Sequence, residues 1–197
     1  MNTAQFGPEP LGATPLDDAE RLLLPGITTR GALNAVEQAN ILEARRWCFR
    51  RRRPVDQVIG DGFLRELHRR MFDSVWSWAG ENRKRDTSIG VPFERISVEL
   101  RNASLDAKAW IAAPTWSWTE LAVRWHLRLV WVHPFTNGNG RWSRLAADVL
   151  LHSLRQPDLT WGHASLDVDG STRSRYMEAI RLADAGDFRD LVALAHS

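Results

Sequence analysis

Twelve residues constrain this chain more than any others: His133-Pro134-Phe135-Thr136-Asn137-Gly138-Asn139-Gly140-Arg141-Trp142-Ser143-Arg144. Before them, Leu121, Trp125, Leu129 and Val132 recur at helical spacing from Trp118-Thr119 onward. That helix must stop before Pro134, because proline removes a hydrogen bond and clashes with the preceding turn. After them, Leu145, Val149 and Leu154 mark the buried side of a helix that starts near Arg141. Between the two, Gly138 and Gly140 admit backbone angles closed to other residues. The segment predicts a helix end, a tight loop and a new helix start in immediate succession.

The rest of the chain agrees with a mostly α architecture. Thr28-Thr29 offers an N-cap to a helix over about Arg30 to Arg52, which carries Leu33, Val36, Ile41, Ala44 and Phe49 and is stopped by Pro54. A second helix, about Gly62 to Trp76, places Leu64, Leu67, Met71 and Val75 on one face, and Trp76-Ser77-Trp78-Ala79-Gly80 closes it. From Glu81 to Glu94 the helical stripe is lost, and Gly90 and Pro92 point to a hairpin or flap. Periodicity returns at Leu100, Ala103, Ala107 and Trp110 and ends at Pro114. Thr172 to Leu182 and Phe188 to Leu194 read as two last short helices, after a loop rich in Asp, Gly and Ser. Met1 to Leu16 has no periodicity and reads as a loose arm, followed by a short helical turn over Asp17 to Leu24. The expected organisation is an arm over 1–27 and one helical domain over 28–197.

Composition narrows the function classes. No apolar run approaches the ~20 residues needed to span a bilayer. Met1 to Pro10 lacks the basic and apolar regions of a secretory signal, so a cytoplasmic domain is expected. Cys48 is the single cysteine, which excludes an internal disulfide and a Cys-clustered zinc site. His68, His126, His152, His163 and His196 lack zinc-ligand spacing. Of 26 basic residues only Lys84 and Lys108 are lysines, a bias that favours forked recognition of phosphate where such a site exists. The net charge of +2 does not by itself argue for nucleic acid. The run Arg45, Arg46, Arg50, Arg51, Arg52 and Arg53 suits the C-terminal end of its helix as a solvated cap.

The twelve-residue segment also carries chemistry. A loop that feeds straight into a helix directs consecutive N–H groups at one spot, where the helix dipole favours negative charge. Arg141 and Arg144 lie three apart and reach the same side of the first turn, and His133 stands beside that spot as a proton acceptor. The same pattern also describes an ordinary turn, a capping His and Arg residues paired with nearby carboxylates. Spacing alone leaves both readings open.

His133-Pro134-Phe135-x-x-Gly138-Asn139-Gly140-Arg141-x-x-Arg144 resembles the signature of the Fic family. Trp78-Ala79-Gly80 with Arg83 is similar to the segment that leads into the family's target-binding flap. Arg173-x-x-Tyr176-x-x-Ala179-Ile180 and Ala185-Gly186-Asp187-Phe188 resemble the helices after the motif, so the likeness runs from about Thr28 to Leu194. The length and the opening Ile27-Thr28-Thr29-Arg30 resemble the subgroup called mobile mystery protein B. The resemblance implies an all-α Fic fold, a helical bundle with a small β-hairpin flap over about Glu81 to Glu94 that holds a target segment by strand addition.

It further implies transfer of AMP from ATP to a Ser, Thr or Tyr hydroxyl of a target protein, with Mg²⁺ between the phosphates. His133 would be the general base. Gly138, Asn139 and Gly140 would hold phosphates through backbone N–H groups, Arg141 would neutralise the leaving group, and Arg144 would grip the γ-phosphate. Phe135 would anchor the loop, and Tyr176 would lie near the adenine or ribose, a position that core packing explains equally well. The family's metal-holding acidic residue is replaced by Asn137, whose amide oxygen could ligate Mg²⁺ but brings no charge.

The nearest counterpart of the family's inhibitory helix is Glu37-Gln38, and Glu37 is expected to pair with Arg144; a solvated helix glutamate accounts for it equally well. Three other readings stand beside AMP transfer. One is a catalytically weak nucleotide-binding or interaction module. Another is transfer from a different phosphate-containing donor. The third is a toxin-like effector with a small antitoxin-like or DNA-binding regulatory partner. A homo-oligomer is also compatible with the resemblance.

Overall fold

The computed structural model describes residues 21–161 and 170–197. Residues 1–20 of the expected arm lie outside them; its last stretch, 21–27, is packed on the domain, with Leu23 N–H donating to the Val75 carbonyl and Ile27 buried. Eight α-helices occur among the described residues: α1 (Arg30–Phe49), α2 (Val55–Val58), α3 (Asp61–Phe72), α4 (Ile96–Ala112), α5 (Trp118–Val132), α6 (Asn139–Ser153), α7 (Gly170–Asp184) and α8 (Arg189–Ala195). No described helix is long and apolar enough to cross a membrane.

Local chemistry sets the ends of these helices. Thr29 caps α1 as expected, its hydroxyl oxygen accepting the Ala32 N–H at 3.2 Å. Ser117 does the same for α5 through the Glu120 N–H. Arg53 serves the other end of α1: its buried guanidinium donates to the Cys48 carbonyl at 2.8 Å and lies over the Trp47 ring. Part of the arginine run is therefore a built cap rather than a solvated one. The helix α3 stops at Phe72, earlier than its periodicity predicts, because the following backbone is drawn into an isolated antiparallel bridge between Leu22 and Trp76.

The segment read as a β-hairpin forms no strand, and the described residues contain no sheet. Its backbone bonds go elsewhere. Arg83 N–H donates to the Pro134 carbonyl and Val91 N–H to the Val132 carbonyl, and an isolated bridge joins Asn82 to Phe135. Gly90 at φ +103° and Pro92 break any remaining pairing, and Phe93–Arg95 makes a 3₁₀ turn into α4. What was expected as a hairpin is a loop pinned to the α5–α6 turn.

At the centre stands α6. Leu145, Ala146, Ala147, Asp148, Val149, Leu150 and Leu151 are all buried, so the helix is covered on every side rather than on one stripe. The helices α1, α2 and α3 pack against it, as does α5, while α4, α7 and α8 pack on α5. One buried carboxylate lies within this wall. Asp148 accepts from Arg45 of α1 at 2.8 Å and from the Trp161 indole at 3.0 Å, and burial pushes its carboxyl up to about 6.

Trp142 is the fully buried first-turn residue of α6, and its indole donates to the Leu64 carbonyl at 2.9 Å. Trp142→Ala should destabilise the fold by ~3–5 kcal/mol in urea denaturation. A loss below ~1 kcal/mol would show that α6 is not seated as described.

Candidate active site

The connection between α5 and α6 is built around Phe135, which is fully buried. Its ring stacks on His68 with centroids 3.7 Å apart and meets Trp142 edge-on at 4.9 Å. Asn139 locks the backbone there: its Oδ1 accepts the Phe135 N–H at 3.0 Å and its Nδ2 donates to the Phe135 carbonyl at 2.8 Å. Gly138, at φ +78°, lies so close to Phe72 that an added Cβ would stand 2.5 Å from the ring. Only glycine fits that position without strain.

His68 is the structural residue that the sequence reading passed over. Its Nδ1 accepts the Gly80 N–H at 3.0 Å and its Nε2 donates to the Asn137 carbonyl at 3.0 Å, so one neutral ring joins two loops. Burial pushes its pKa down to about 3. Its partners are distant in sequence, and no local spacing signals such a bridge. The same holds for His126, whose Nε2 meets the Tyr176 hydroxyl at 2.9 Å.

His133 stands at the start of the turn in the left-handed region, φ 50° and ψ 59°. A non-glycine residue there carries strain of ~1–2 kcal/mol. The side chain is buried, and its Nδ1 donates to the Val130 carbonyl at 3.3 Å, which makes Nε2 the basic nitrogen. Burial and the positive charge of Arg83 hold its pKa down to about 4, so the ring is neutral at pH 7.

The other end of the turn is the N-terminus of α6, which no side chain caps. The first-turn N–H groups of Asn139, Gly140 and Arg141 therefore have no carbonyl one turn earlier to bond. The Gly138 N–H is already taken by the Asn137 Oδ1, at 2.6 Å. Arg141 and Arg144 flank this end with different partners. Arg144 lies over the Tyr176 ring, 5.4 Å from its centroid. Tyr176 is buried with its hydroxyl on His126, the core position that the sequence reading set beside the nucleotide role.

Glu37 of α1 does reach the motif, but it pairs with Arg141 at 2.7 Å rather than with Arg144. Its other oxygen accepts the Trp76 indole N–H at 2.7 Å, and it is buried. The correction has a simple cause. Packing of α1 on α3 and α6 brings Glu37 between Trp76 and the first arginine, while Arg144, three residues on, is turned toward α7.

A resident Mg²⁺ does not fit the donors present. Asn137 is neutral, and its amide oxygen already serves the Gly138 N–H. Among the described residues no cluster of three or more His, Cys, Asp or Glu side chains could hold a metal ion. A hard divalent cation needs several oxygen donors, usually including a carboxylate.

Comparison with known proteins gives a consistent picture. Residues 61–151 match the Fic/DOC family. The chain is 30% identical over 142 residues to a protein adenylyltransferase Fic of Drosophila melanogaster, covering 70% of this chain and 27% of that protein. It thus spans about a quarter of the length of the curated relatives it matches. The BepC protein of Bartonella tribocorum, solved with bound AMPPNP, superposes with a TM-score of 0.62 at 19% identity, over 87% of this chain and 88% of that one. The N-terminal Fic domain of a cell filamentation protein from Bartonella quintana, solved with bound ADP, gives 0.63 at 19% identity, over 87% and 86%.

Three buried imidazoles define the acid response of the fold. His68, His126 and His133 all titrate below the ordinary 6.5 in the folded state, so their contribution to stability is present above pH 6.5 and lost as pH falls toward 4 and 3. Asp148, raised to about 6, works in the opposite sense between about pH 4 and 6. Urea stability should fall below pH 6.5 by ~1.4 kcal/mol per pH unit for each histidine, and His68→Gln should remove one such increment from the slope.

Proposed function

Since this chain belongs to the Fic/DOC family, we propose that it transfers AMP from ATP to a hydroxyl group of another protein. One arrangement supports this reading best. A neutral, buried His133 stands at one end of a rigid turn, and the other end presents the α6 N-terminus with two arginines. A base and an anion seat held on one frame meet the first requirement of group transfer, which is positioning.

In the proposed reaction the Nε2 of His133 takes the proton from a Ser, Thr or Tyr hydroxyl. The freed oxygen attacks the α-phosphorus of ATP, forming the new phosphate ester. The bond from that phosphorus to the bridging oxygen breaks, and pyrophosphate leaves with the electron pair. The N–H groups of Asn139 and Gly140 face the phosphates, and Arg141 and Arg144 take up charge on the departing group. Tyr176 holds Arg144 at its station and borders Gly140, since a Cβ on Gly140 would stand 3.9 Å from the Tyr176 hydroxyl. No step is assigned to a protein-held metal ion.

Glu37 restrains this site in the same reading. Its carboxylate occupies Arg141 where a phosphate would bind, so the nucleotide must displace a partly buried ion pair. A second reading, nucleotide binding without transfer, is favoured by one observation: Asn137 stands where the family carries an acidic residue.

Transfer of α-³²P from labelled ATP, with magnesium in the buffer, tests the proposal on the chain itself and on a cell lysate. Label should appear with wild type and vanish, at least a hundredfold, in His133→Ala. Glu37→Gln keeps the acceptor for Trp76 and removes only the charge, so label should rise by tenfold or more, equivalent to ~1.4 kcal/mol of released restraint. Wild type and Glu37→Gln that bind ATP in calorimetry yet give no label would establish the second reading instead.

A further inference from the structure

Arg83 is almost entirely buried, and its carboxylate partner lies at the surface. The one acidic group near it is Asp86 at 3.6 Å, itself 68% exposed. A desolvated guanidinium needs compensation, and here it comes from carbonyls of three separate stretches of chain. Nε donates to the His133 carbonyl at 2.8 Å, Nη1 to the Arg85 carbonyl at 2.8 Å, and Nη2 to the Val91 carbonyl. The Arg83 main-chain N–H adds a bond to the Pro134 carbonyl at 2.9 Å, and Val91 N–H closes the far foot on the Val132 carbonyl. The loop between these feet touches the base itself. A Cβ placed on Gly90 would lie 2.5 Å from the His133 Cβ and 3.0 Å from an Arg83 nitrogen.

These bonds explain why His133 can keep a left-handed backbone. Strain of that kind persists only where the surroundings over-determine it. Arg83 captures the His133 carbonyl that the conformation turns away from α5, while Asn139 and His68 secure the other side of the turn. The two supports are independent: one faces His133, the other faces the anion seat. A lysine could not replace the first, because a single ammonium has no planar fork to span three carbonyls.

We propose that Arg83 is a positioning residue, a three-pronged clamp that sets the loop 85–91 and the His133 backbone at a fixed separation and so aligns the acceptor hydroxyl with the base. The alignment function rests on the AMP-transfer reading above; the clamp itself does not. Residues Ser88, Ile89 and Gly90 are exposed and Gly90 lies against His133, so the clamp holds their backbone where an incoming segment would be presented.

The experiment uses the full chain as wild type, Arg83→Met, Arg83→Lys and Gly90→Ala, whose Cβ presses on His133 and on one Arg83 nitrogen while the guanidinium itself is kept. Amide hydrogen exchange is read at Val91 and at Trp142, whose N–H donates to Gly138 on the anion side. ATP affinity is read by calorimetry, and kcat and KM for ATP by AMP labelling of dephosphorylated casein. The clamp predicts exchange at Val91 at least thirtyfold faster in Arg83→Met and Arg83→Lys, with Trp142 unchanged. It predicts kcat at least thirtyfold lower in all three variants, with ATP affinity and KM within twofold. Wild-type exchange at Val91 in Arg83→Met, or full kcat and protection in Arg83→Lys, would overturn it. If Arg83→Met fails to fold, Gly90→Ala with unchanged kcat would overturn it as well. A wild type that labels nothing would defeat the AMP-transfer reading and with it the alignment function, while exchange at Val91 would still judge the clamp.

Discussion

The carboxamide of Asn139, bonded to both the N–H and the carbonyl of Phe135, is the contact on which the rest of the site depends. It closes the turn against its own first helical residue and holds a fully buried aromatic ring inside a short connection. Phe135 then serves as a plug between His68 and Trp142. With the plug seated, His133 and the start of α6 have one separation rather than a range of them. The proposed base and the proposed anion seat can act together only under that condition.

Around this turn the chain spends arginines in three different ways. Arg53 closes a helix end, Arg83 gathers carbonyls around the turn, and Arg141 and Arg144 remain at the anion seat. Their environments separate these roles more clearly than their charge does. The first two donate to main-chain carbonyls and are buried. Arg141 instead pairs with a carboxylate, that of Glu37, at 2.7 Å. Glu37 itself is not left idle when Arg141 moves, because the Trp76 indole keeps one of its oxygens occupied.

Much of this was legible along the chain. Pro134 announced the end of α5, Thr29 the start of α1, and the alternation of Leu, Trp and Val the faces that pack. The motif residues His133, Gly138, Arg141 and Arg144 were visible as a group because all of them lie within one turn-and-a-helix, where spacing translates directly into geometry. What could not be read were contacts across the fold. His68 bridging Gly80 and Asn137, Arg83 reaching Val91 and His133, and Tyr176 resting on His126 join segments whose separation in sequence carries no period. The expected hairpin over Glu81 to Glu94 failed for the same reason. Local pattern showed that a helix was excluded there, but the partner for the backbone proved to be the α5–α6 turn instead of a second strand.

Local physics, then, was decided by the sequence alone: which stretches are helical, where proline and glycine stop them, and that a tight loop feeds straight into a helix N-terminus. These follow from short-range sterics and hydrogen bonding, which act over a few residues. Tertiary structure decided the partners. It set Glu37 on Arg141 rather than Arg144, surrounded α6 on all sides, and pressed the Gly90 loop against His133. Those outcomes depend on how buried surfaces of distant helices fit one another, and a side chain's partner is chosen only when that packing has fixed which groups are within reach.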